Sequence, residues 1–245
     1  MQNMNLYNVN AVKEILLNSR YAVFFGGAGV STDSGIPDFR GNGGFYSSGG
    51  RINEYYLSRE CLLREPCSFF EFFRKNMLFE GAKPNSTHTA LARLEERGIL
   101  KSVITQNIDG LHQSAGSRRV IELHGTASRF YCTRCGKVFG RTVLEQGDGI
   151  PECDECGAVV RPDVTLYGEA LNSSNLKDAV NEIEKADVLI VGGSSLVVNP
   201  AASLVGKFGG ECLAIVNYSP TPYDFKAQYV IRESLSEVMA ILAGE

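Results

Sequence analysis

A glycine-rich stretch, GGAGVSTDSGIPDFRG, follows a short apolar segment near the amino terminus. Residues 21–25 are predicted as a strand, and glycines directly after a strand let backbone N–H groups approach an anionic ligand. We therefore expect a phosphate-binding loop at residues 26–41, where a helix start would add its positive dipole end. The dinucleotide fingerprint G-x-G-x-x-G is incomplete, because Thr32 stands at the third glycine position. The stretch continues into PDFR, and an acid, an aromatic ring and a guanidinium beside a phosphate cradle favour chemistry on the nucleotide itself.

A second polar stretch, TQNID at residues 105–109, follows another predicted strand, at residues 102–105. Ligands of open α/β sheets bind at the carboxyl ends of the parallel strands. An Asx-rich turn is the structural alternative, and it accounts for Asn107 and Asp109. It does not account for a second polar loop beside a glycine cradle, so we predict that these amides and the carboxylate bind a ligand.

His124 is the best placed of the three histidines to act as a base. It follows a predicted strand at residues 120–123 and precedes Gly125, so it also lies at the carboxyl end of a strand. A histidine with a pKa near ~6.5 can take up a proton at neutral pH. A lone histidine is often structural, and by residue type His88, at a helix start, and His112, in the polar loop, are equal candidates.

Four of the seven cysteines form two C-x-x-C pairs separated by seventeen residues. This spacing is typical of a four-thiolate zinc ribbon, in which no ligand position is open to water. We predict one structural zinc ion rather than a redox-active dithiol or a nucleic-acid-binding ribbon. A redox-active dithiol needs one C-x-x-C pair, and this segment has two. A nucleic-acid-binding ribbon would carry a stripe of aromatic and basic residues, which this segment lacks. The predicted ligands are Cys132, Cys135, Cys153 and Cys156. The other cysteines are predicted to be small buried hydrophobes: Cys61, Cys67 and Cys212.

The composition is that of a soluble globular protein, in which local basic patches remain possible. The chain has 245 residues, 44% hydrophobic and 21% charged, with a formal net charge of −4. This charge gives no general attraction to nucleic acid or anionic lipid. No apolar run approaches the ~20 residues of a membrane span, and the first residues lack a signal-peptide pattern. We expect a cytoplasmic protein, a compartment that also suits paired, reduced cysteines.

Helical and strand patterns alternate along most of the chain, which predicts a doubly wound parallel α/β sheet, Rossmann-like, with a smaller inserted domain. Apolar runs such as VLIV and LAIV are typical of strands covered on both faces. We expect residues 1–45, 80–128 and 162–245 to form a discontinuous dinucleotide-binding domain. The small domain would combine a helical insertion, residues 46–79, with the zinc-binding insertion, residues 129–161. Predicted helices lie at residues 9–18, 69–73, 88–96 and 176–185, and further strands at residues 188–192 and 212–217.

Several motifs together resemble one family. GAGVSTDSGIPDFRG, TQNIDGLHQ, ELHG, the two C-x-x-C pairs, RPDVTLYGE, GSSLVVNP and VN occur in the order and spacing of the sirtuins, NAD-dependent protein-lysine deacylases. The resemblance spans nearly the whole chain, which is little more than a compact sirtuin core of the bacterial type.

The resemblance implies which residues bind NAD. The glycine loop would hold the pyrophosphate, the polar loop the nicotinamide and its ribose, and residues from Ser194 onward the adenosine. Phe39 would shield the reactive C1′ carbon from water, Asp109 would bind the carboxamide, and Asn107 would order the ribose and a water. The positions assigned to the cofactor are Gly27, Ala28, Gly29, Thr32, Asp38, Phe39, Arg40, Gln106, Asn107, Ile108, Asp109, His124, Ser194, Ser195, Asn217, Tyr218 and Val230.

The reaction implied by the resemblance consumes NAD as a co-substrate. The acyl oxygen of a modified lysine attacks C1′ of the ribose and nicotinamide leaves. His124, assisted by Asn107, would then act as general base on the ribose hydroxyls, so that the acyl group passes to ADP-ribose. The acetylated protein or peptide would lie as an added strand in the cleft between the two domains, with one wall formed by residues 168–171.

The acyl preference is predicted from the helix after the cofactor loop. Sirtuins that prefer succinyl- or malonyl-lysine carry a Tyr-x-x-Arg pair there, and the corresponding residues here are Phe73 and Asn76. Neither side chain pairs with a carboxylate, so we expect a preference for neutral acyl groups, acetyl first. Leu166 stands where an aromatic residue is frequent in the family, and its effect on the acyl-lysine tunnel is open at this point.

Three other activities remain as alternatives from the sequence. Mono-ADP-ribosyl transfer to protein would use the same activated carbon with a different nucleophile. A nicotinamide dehydrogenase would carry an acidic residue at the end of its second strand, where this chain has TQNID. A zinc-ribbon binding module would have a vestigial nucleotide pocket, against which the intact Asn107, Asp109 and His124 argue. We expect a monomer that binds neither nucleic acid nor membrane.

Overall fold

A sheet of six parallel strands forms the centre of the computed structural model, which describes residues 6–38, 54–145 and 147–244. The α-helices in these ranges are α1 (Leu6–Leu17), α2 (Arg59–Arg64), α3 (Pro66–Asn76), α4 (Ser86–Glu96), α5 (Leu111–Ser114), α6 (Ser173–Lys185) and α7 (Leu235–Ala243). The strands are β1 (Ala22–Gly26), β2 (Leu100–Thr105), β3 (Val120–Glu122), β4 (Gly125–Cys132), β5 (Val138–Gly140), β6 (Val160–Val164), β7 (Val188–Gly192), β8 (Cys212–Val216) and β9 (Tyr229–Ile231).

The order of the strands in the large sheet is β3-β2-β1-β7-β8-β9, and every pairing is parallel. From β1 the chain adds β2 and then β3 on one side. It then returns to the middle of the sheet and adds β7, β8 and β9 on the other side of β1. The connection from β1 to β2 packs on one face of the sheet through α4, and the connection from β7 to β8 packs on the other through residues 202–205, which opens a crevice at the switch point. This confirms the predicted doubly wound fold and places the glycine loop, which follows β1, at the crevice.

Helices cover both faces of the sheet, as the apolar strands predicted. Successive side chains of β1 alternate between two hydrophobic cores: Ala22 and Phe24 pack with α1, α4 and α7, while Val23 and Phe25 pack with α6. All four side chains are fully buried. Truncating a buried phenylalanine to alanine typically costs about 3–5 kcal/mol, so β1 is held rigidly under the loop that it carries.

A three-stranded antiparallel sheet, β5-β4-β6, lies between β3 and α6 in the chain. It shares a third hydrophobic core with α2 and α3, in which Phe69, Phe73 and Phe130 are fully buried. The smaller inserted unit therefore contains both the cysteine ribbon and the helical segment, which confirms the predicted fold class. The exact division of the chain into two domains stays a prediction.

Several elements were given no range in the sequence analysis, among them α2, α5, α7, the three strands of the small sheet and β9. The strand β9 is only three residues long, and α7 is apolar on most of its surface because it is buried between α1 and α4. The glycine loop contains two short 3-10 turns, Ala28–Val30 and Thr32–Ser34, in place of a helix start. The Gly29 N–H donates to the carbonyl of Gly193 at 2.8 Å and is therefore not available to an α-helical ladder.

In the part of the chain that the structure describes, no helix combines the length and the apolar character needed to cross a bilayer.

Candidate active site

The crevice at the switch point widens into a cleft of about 760 Å³. Loops from the carboxyl ends of β1, β2, β3, β7, β8 and β9 contribute to its walls, as expected for a ligand site in an open α/β sheet. The predicted site residues that line the cleft are Gly27, Ala28, Gly29, Thr32, Asp38, Gln106, His124, Ser194, Ser195, Asn217 and Tyr218.

Two glycines bring the loops after β1 and β7 into direct contact. Besides the hydrogen bond between them, a Cβ atom on Gly29 would lie 2.8 Å from the Cα of Gly193. Gly193 also has a positive φ of 59°, a conformation that favours glycine. Any side chain at either position would separate the loops, so the floor of the cleft depends on glycine at both.

Gln106 ties the polar loop after β2 to both of these loops. Its backbone N–H donates to the Gly26 carbonyl at 3.0 Å, and its side-chain amide donates to the Ser194 hydroxyl at 2.9 Å. The same hydroxyl accepts the Leu196 N–H at 3.3 Å. Residues from β1, β2 and β7 are thus joined at one point beneath the cleft.

His124 stands next to Gln106, and its hydrogen bond defines its tautomer. The Nδ1 atom lies 2.8 Å from the Gln106 carbonyl, which can only accept, so Nδ1 carries the proton and the lone pair of the neutral ring is at Nε2. Burial lowers the pKa of His124, and the bond to the Gln106 carbonyl opposes this in part. The ring is therefore neutral at pH 7 with Nε2 ready to accept a proton.

The residue after His124 fixes the direction of the ring. Gly125 has a φ of 77°, and a Cβ atom there would meet the Asp163 carbonyl oxygen at 2.1 Å. The Thr165 N–H donates to the His124 carbonyl at 2.9 Å. The backbone around the histidine is held between the large sheet and β6.

The other polar residues of the TQNID loop form a cluster with a serine of the glycine loop. The Ser31 hydroxyl donates to Asp109 Oδ2 at 2.7 Å and accepts from Asn107 Nδ2 at 3.0 Å. Asp109 Oδ1 also accepts the Leu111 N–H at 2.9 Å. Ser31, 1% exposed, was not predicted as a site residue. Its position within the glycine-rich stretch could have indicated a role in the site.

Some predicted site residues lie away from the cleft or outside the described residues. Asn107, Ile108 and Asp109 do not line the 760 Å³ cleft: Ile108 lines a second cavity described below, and the side chains of Asn107 and Asp109 bond to Ser31. Val230, in the middle of β9, does not line it either. Phe39 and Arg40 lie outside the described residues.

Nine residues that line the cleft were not predicted from the sequence: Asp33, Tyr167, Gly193, Val198, Val216, Ser219, Glu233, Ser234 and Leu235. Glu233, Ser234 and Leu235 follow β9, and because that strand was not predicted, no strand end marked them in the sequence.

A second cavity, of about 230 Å³, opens on the other side of His124 and is mainly apolar. It shares Gln106, His124, Tyr167 and Val198 with the cleft. Its apolar walls are Leu57, Phe73, Met77, Ile108, Val164, Leu166, Leu171 and Pro200. Of the two α3 residues compared with the Tyr-x-x-Arg pair, Phe73 lines this cavity. Met77, which follows the last residue of α3, also lines the cavity, whereas the Asn76 amide donates to the Phe72 carbonyl at 2.9 Å.

The other two histidines are buried outside both cavities. His88 and His112 are 0% and 1% exposed, and their ring centroids lie 4.8 Å apart. Burial lowers the pKa of His88 to about 4, an effect that nearby Asp109 opposes, and burial together with His88 lowers the pKa of His112 to about 3. Among the three histidines, all within the described residues, His124 is therefore the one at the cleft.

The depressed pKa values predict acid sensitivity of the fold. Between pH ~6.5 and ~3 the unfolded chain binds a proton at His112 that the folded protein does not, so the free energy of unfolding falls as the pH falls. Replacing His112 with leucine is expected to make this decline less steep. Urea unfolding of both proteins at several pH values in this window measures it. An identical decline in the variant would contradict the prediction.

The four paired cysteines form a cluster whose geometry fits a zinc ion. Their sulfurs lie within 4.8 Å of one another, with distances of 3.4 Å between Cys132 and Cys156 and 3.6 Å between Cys135 and Cys153. Tetrahedral Zn–S bonds of about 2.3 Å imply S–S distances of about 3.8 Å. The cluster is thus consistent with a structural zinc ion, as predicted.

The two knuckles are built alike. Gly136 and Gly157 follow the second cysteine of each pair with φ values of 74° and 69°, and each donates its N–H to the carbonyl of the first cysteine. Within the first knuckle, two backbone N–H groups also donate to the Cys132 sulfur at 3.4 Å. The prediction for the remaining cysteines holds for Cys61 and Cys212 but was wrong for Cys67, which is exposed on α3.

Comparisons with known proteins agree with this site. The family model described as Sir2 family matches residues 27–200. A Clostridium tetani protein named NAD-dependent protein deacetylase is 48% identical over 96% of this chain and 96% of its own, and one of the same name from Clostridium acetobutylicum is 48% identical over 96% and 97%. A structure of Sir2 with a p53 peptide and NAD+ has a TM-score of 0.84 and 40% identity, and covers 96% of each chain. A structure of a Sir2 variant with a deacetylated p53 peptide and 3′-O-acetyl-ADP-ribose has a TM-score of 0.88 and 39% identity, over 96% of this chain and 98% of that one. This chain belongs to the Sir2 family.

Proposed function

We infer that this chain is an NAD-dependent protein deacetylase, which transfers the acetyl group of an acetylated lysine to ADP-ribose and releases nicotinamide. The observation that carries this inference is the position of His124. Its ring lines both the polar cleft and the apolar cavity, with an unprotonated Nε2. A base at the junction of a nucleotide site and an acyl-lysine site is what acyl transfer between the two requires.

The cleft suits NAD in size and in the chemistry of its walls. NAD supplies a glycosidic bond at C1′ whose cleavage releases nicotinamide and leaves the ribose open to the acyl oxygen. Gly27, Ala28 and Gly29 present backbone with no side chain larger than a methyl group, which lets a pyrophosphate approach closely. We assign Thr32 and Asp38 to the same half, and Ser194, Ser195, Asn217, Tyr218 and Val230 to the adenosine half.

The nicotinamide half is assigned to the polar loop and the residues that precede and follow it. Asp109 would bind the carboxamide, with its carboxylate oriented by Ser31. Asn107, held by the same serine, would order the ribose and a water. We assign Gln106 and Ile108 to the walls of this pocket, and Phe39 and Arg40 to the loop that closes over the ribose.

The role of His124 follows from its tautomer. The Gln106 carbonyl fixes the proton at Nδ1, so Nε2 takes a proton from a ribose hydroxyl of the bound dinucleotide. The charge that then develops on the ring is stabilised by the same carbonyl, which remains an acceptor for Nδ1–H. Burial keeps water away from the reacting oxygen and lowers the pKa of His124, so the base form is available at neutral pH.

The substrate peptide is assigned to the cleft between the large sheet and the small module, as an added strand. The segment after β6 already pairs on one side, where the Tyr167 N–H donates to the Leu57 carbonyl at 3.0 Å and the Arg59 N–H donates to the Tyr167 carbonyl at 2.9 Å. Residues 168–171 would form one wall. Extended peptides pair with such segments through backbone hydrogen bonds. The p53 peptide of the related structures supports this assignment.

Mass spectrometry of an acetyl-lysine peptide incubated with the protein and NAD tests the function. Deacetylation removes one acetyl group from the peptide and yields O-acetyl-ADP-ribose. Mono-ADP-ribosyl transfer would instead add ADP-ribose to a protein, and a dehydrogenase would produce NADH absorbance. An unchanged peptide with zinc-loaded protein would contradict the proposal.

A comparison of acyl groups tests the specificity. Phe73 and Met77 line the apolar cavity where a carboxylate of a succinyl group would need a cationic partner, and neither provides one. We expect kcat/KM on an acetyl-lysine peptide to exceed that on the matching succinyl-lysine peptide at least tenfold. Comparable values for the two peptides would contradict this assignment of the cavity.

A further inference from the structure

Asn85 lies outside the cleft, yet its side chain bonds to the loop that forms the cleft. Its Nδ2 group donates to the Val30 carbonyl at 2.8 Å and to the Ser34 hydroxyl at 3.0 Å. Val30 and Ser34 lie on either side of Ser31 and Thr32, within the glycine loop. Both hydrogens of the Asn85 amide are therefore used on a segment more than fifty residues away in the chain.

The rest of Asn85 is fixed by its own helix. Asn85 is the N-cap of α4, its Oδ1 atom accepts the Thr87 N–H at 2.9 Å, and its own N–H donates to His88 Nδ1 at 3.2 Å. His88 here takes the place that a glutamate or glutamine holds in a capping box. Because α4 packs against the large sheet through Ala90, Leu91 and Leu94, the amide is mounted on a rigid support.

We propose that Asn85 is a positioning residue for NAD binding, which holds the glycine loop in its binding conformation through the Val30 carbonyl and the Ser34 hydroxyl. The proposal rests on the proposed function, because the loop matters only if NAD binds there. Ser31, between the two bonded residues, orients Asp109 and Asn107. Loss of the two Asn85 bonds therefore disturbs both the part of the site assigned to the pyrophosphate of NAD and the part assigned to its nicotinamide.

An Asn85→Ser substitution distinguishes the proposed role in holding the glycine loop from the role in capping α4. Serine is a good N-cap, so an Asn85→Ser variant keeps an acceptor for the start of α4. Its side chain is too short to reach the loop and donate to the Val30 carbonyl. A half-buried carbonyl and hydroxyl then lose their partner, for which we expect about a tenfold rise in KM for NAD. The KM for the acetylated peptide stays within about twofold, measured at saturating NAD.

Asn172 provides the matched control. It is the N-cap of α6, where its Oδ1 accepts the N–H groups of Ser174 and Asn175, and it has no bond to the described part of the glycine loop, residues 26–38. Asn172→Ser is expected to change thermal stability as much as Asn85→Ser does, while KM for NAD stays at the wild-type value. Ser34→Ala removes one of the two loop bonds without touching the cap of α4, and should raise KM for NAD by a smaller factor.

The decisive measurements are steady-state kinetics with varied NAD and calorimetric titration of each folded variant with NAD. A selective rise of KM and Kd for NAD in Asn85→Ser and Ser34→Ala, absent in Asn172→Ser, supports the proposal. NAD binding within twofold of wild type in both loop-contact variants would overturn it. If the wild-type protein bound NAD without deacetylating the peptide, the proposed function would fail while the titrations still decided the role of Asn85.

Discussion

A His124→Ala variant is expected to lose about 10²- to 10⁴-fold in kcat for deacetylation, the range typical of a general base. The reason is the geometry around Nε2. The Gln106 carbonyl fixes the other nitrogen as the donor, so one atom, aimed into the shared wall of the two cavities, is available to take the proton. His88 and His112 cannot substitute, because both are buried away from the cleft.

The variant should differ from wild type in turnover alone. Its zinc content and thermal midpoint should stay close to wild type, because the ring packs against a cleft wall and does not belong to the three hydrophobic cores. Calorimetric titration with NAD should give a Kd within a few-fold of wild type. Activity of His124→Ala within a few-fold of wild type would show that another group is the base.

The pH profile of the wild-type enzyme provides an independent check on the same residue. Burial holds the pKa of His124 below its ordinary value, so the base form persists at lower pH than in an exposed histidine. The acidic limb of kcat/KM is therefore expected below pH ~6.5. A limb well above that value would assign it to a different group.

The sequence was sufficient for five of the six strands of the large sheet and for the polar residues that follow them. Apolar runs such as that of β7 were predicted with their observed bounds because a strand buried on both faces leaves an unbroken pattern. His124 and Gln106 were found because polar residues directly after such runs meet at one edge of a parallel sheet. The four-cysteine cluster was predicted because the spacing of its cysteines reflects local turn geometry.

Contacts between distant loops could not be predicted in this way. The bonds of Ser31 to Asp109 and of Asn85 to Val30 join residues far apart in the chain, and nothing in the local pattern marks either partner. The lining of the apolar cavity by Met77 in place of Asn76 depends on the rotation of α3, which spacing alone does not fix. Cys67 was wrongly predicted as buried because α3 turns that side away from its phenylalanines.

A Cys153→Ser variant is expected to unfold the small module and, with it, to abolish activity. Zinc binding to four-thiolate sites contributes on the order of 10 kcal/mol that only the folded module can use. Cys132 and Cys153 also belong to the third hydrophobic core, beside Phe130 and Val160. Loss of the metal is therefore expected to loosen the pairing of β4 with β6, and because β4 begins directly after His124, the His124 backbone loses its support on one side.

Cys67→Ser is the matched control, because it makes the same substitution at an exposed cysteine outside the cluster. This variant should keep one zinc per chain, the wild-type thermal midpoint and full activity. Cys153→Ser should release zinc in a colorimetric assay and show an early unfolding transition, while the six-stranded sheet, whose cores contain none of the four ligands, unfolds later. Loss of zinc from Cys153→Ser without an early unfolding transition and with wild-type activity would show that the cluster does not hold the module together.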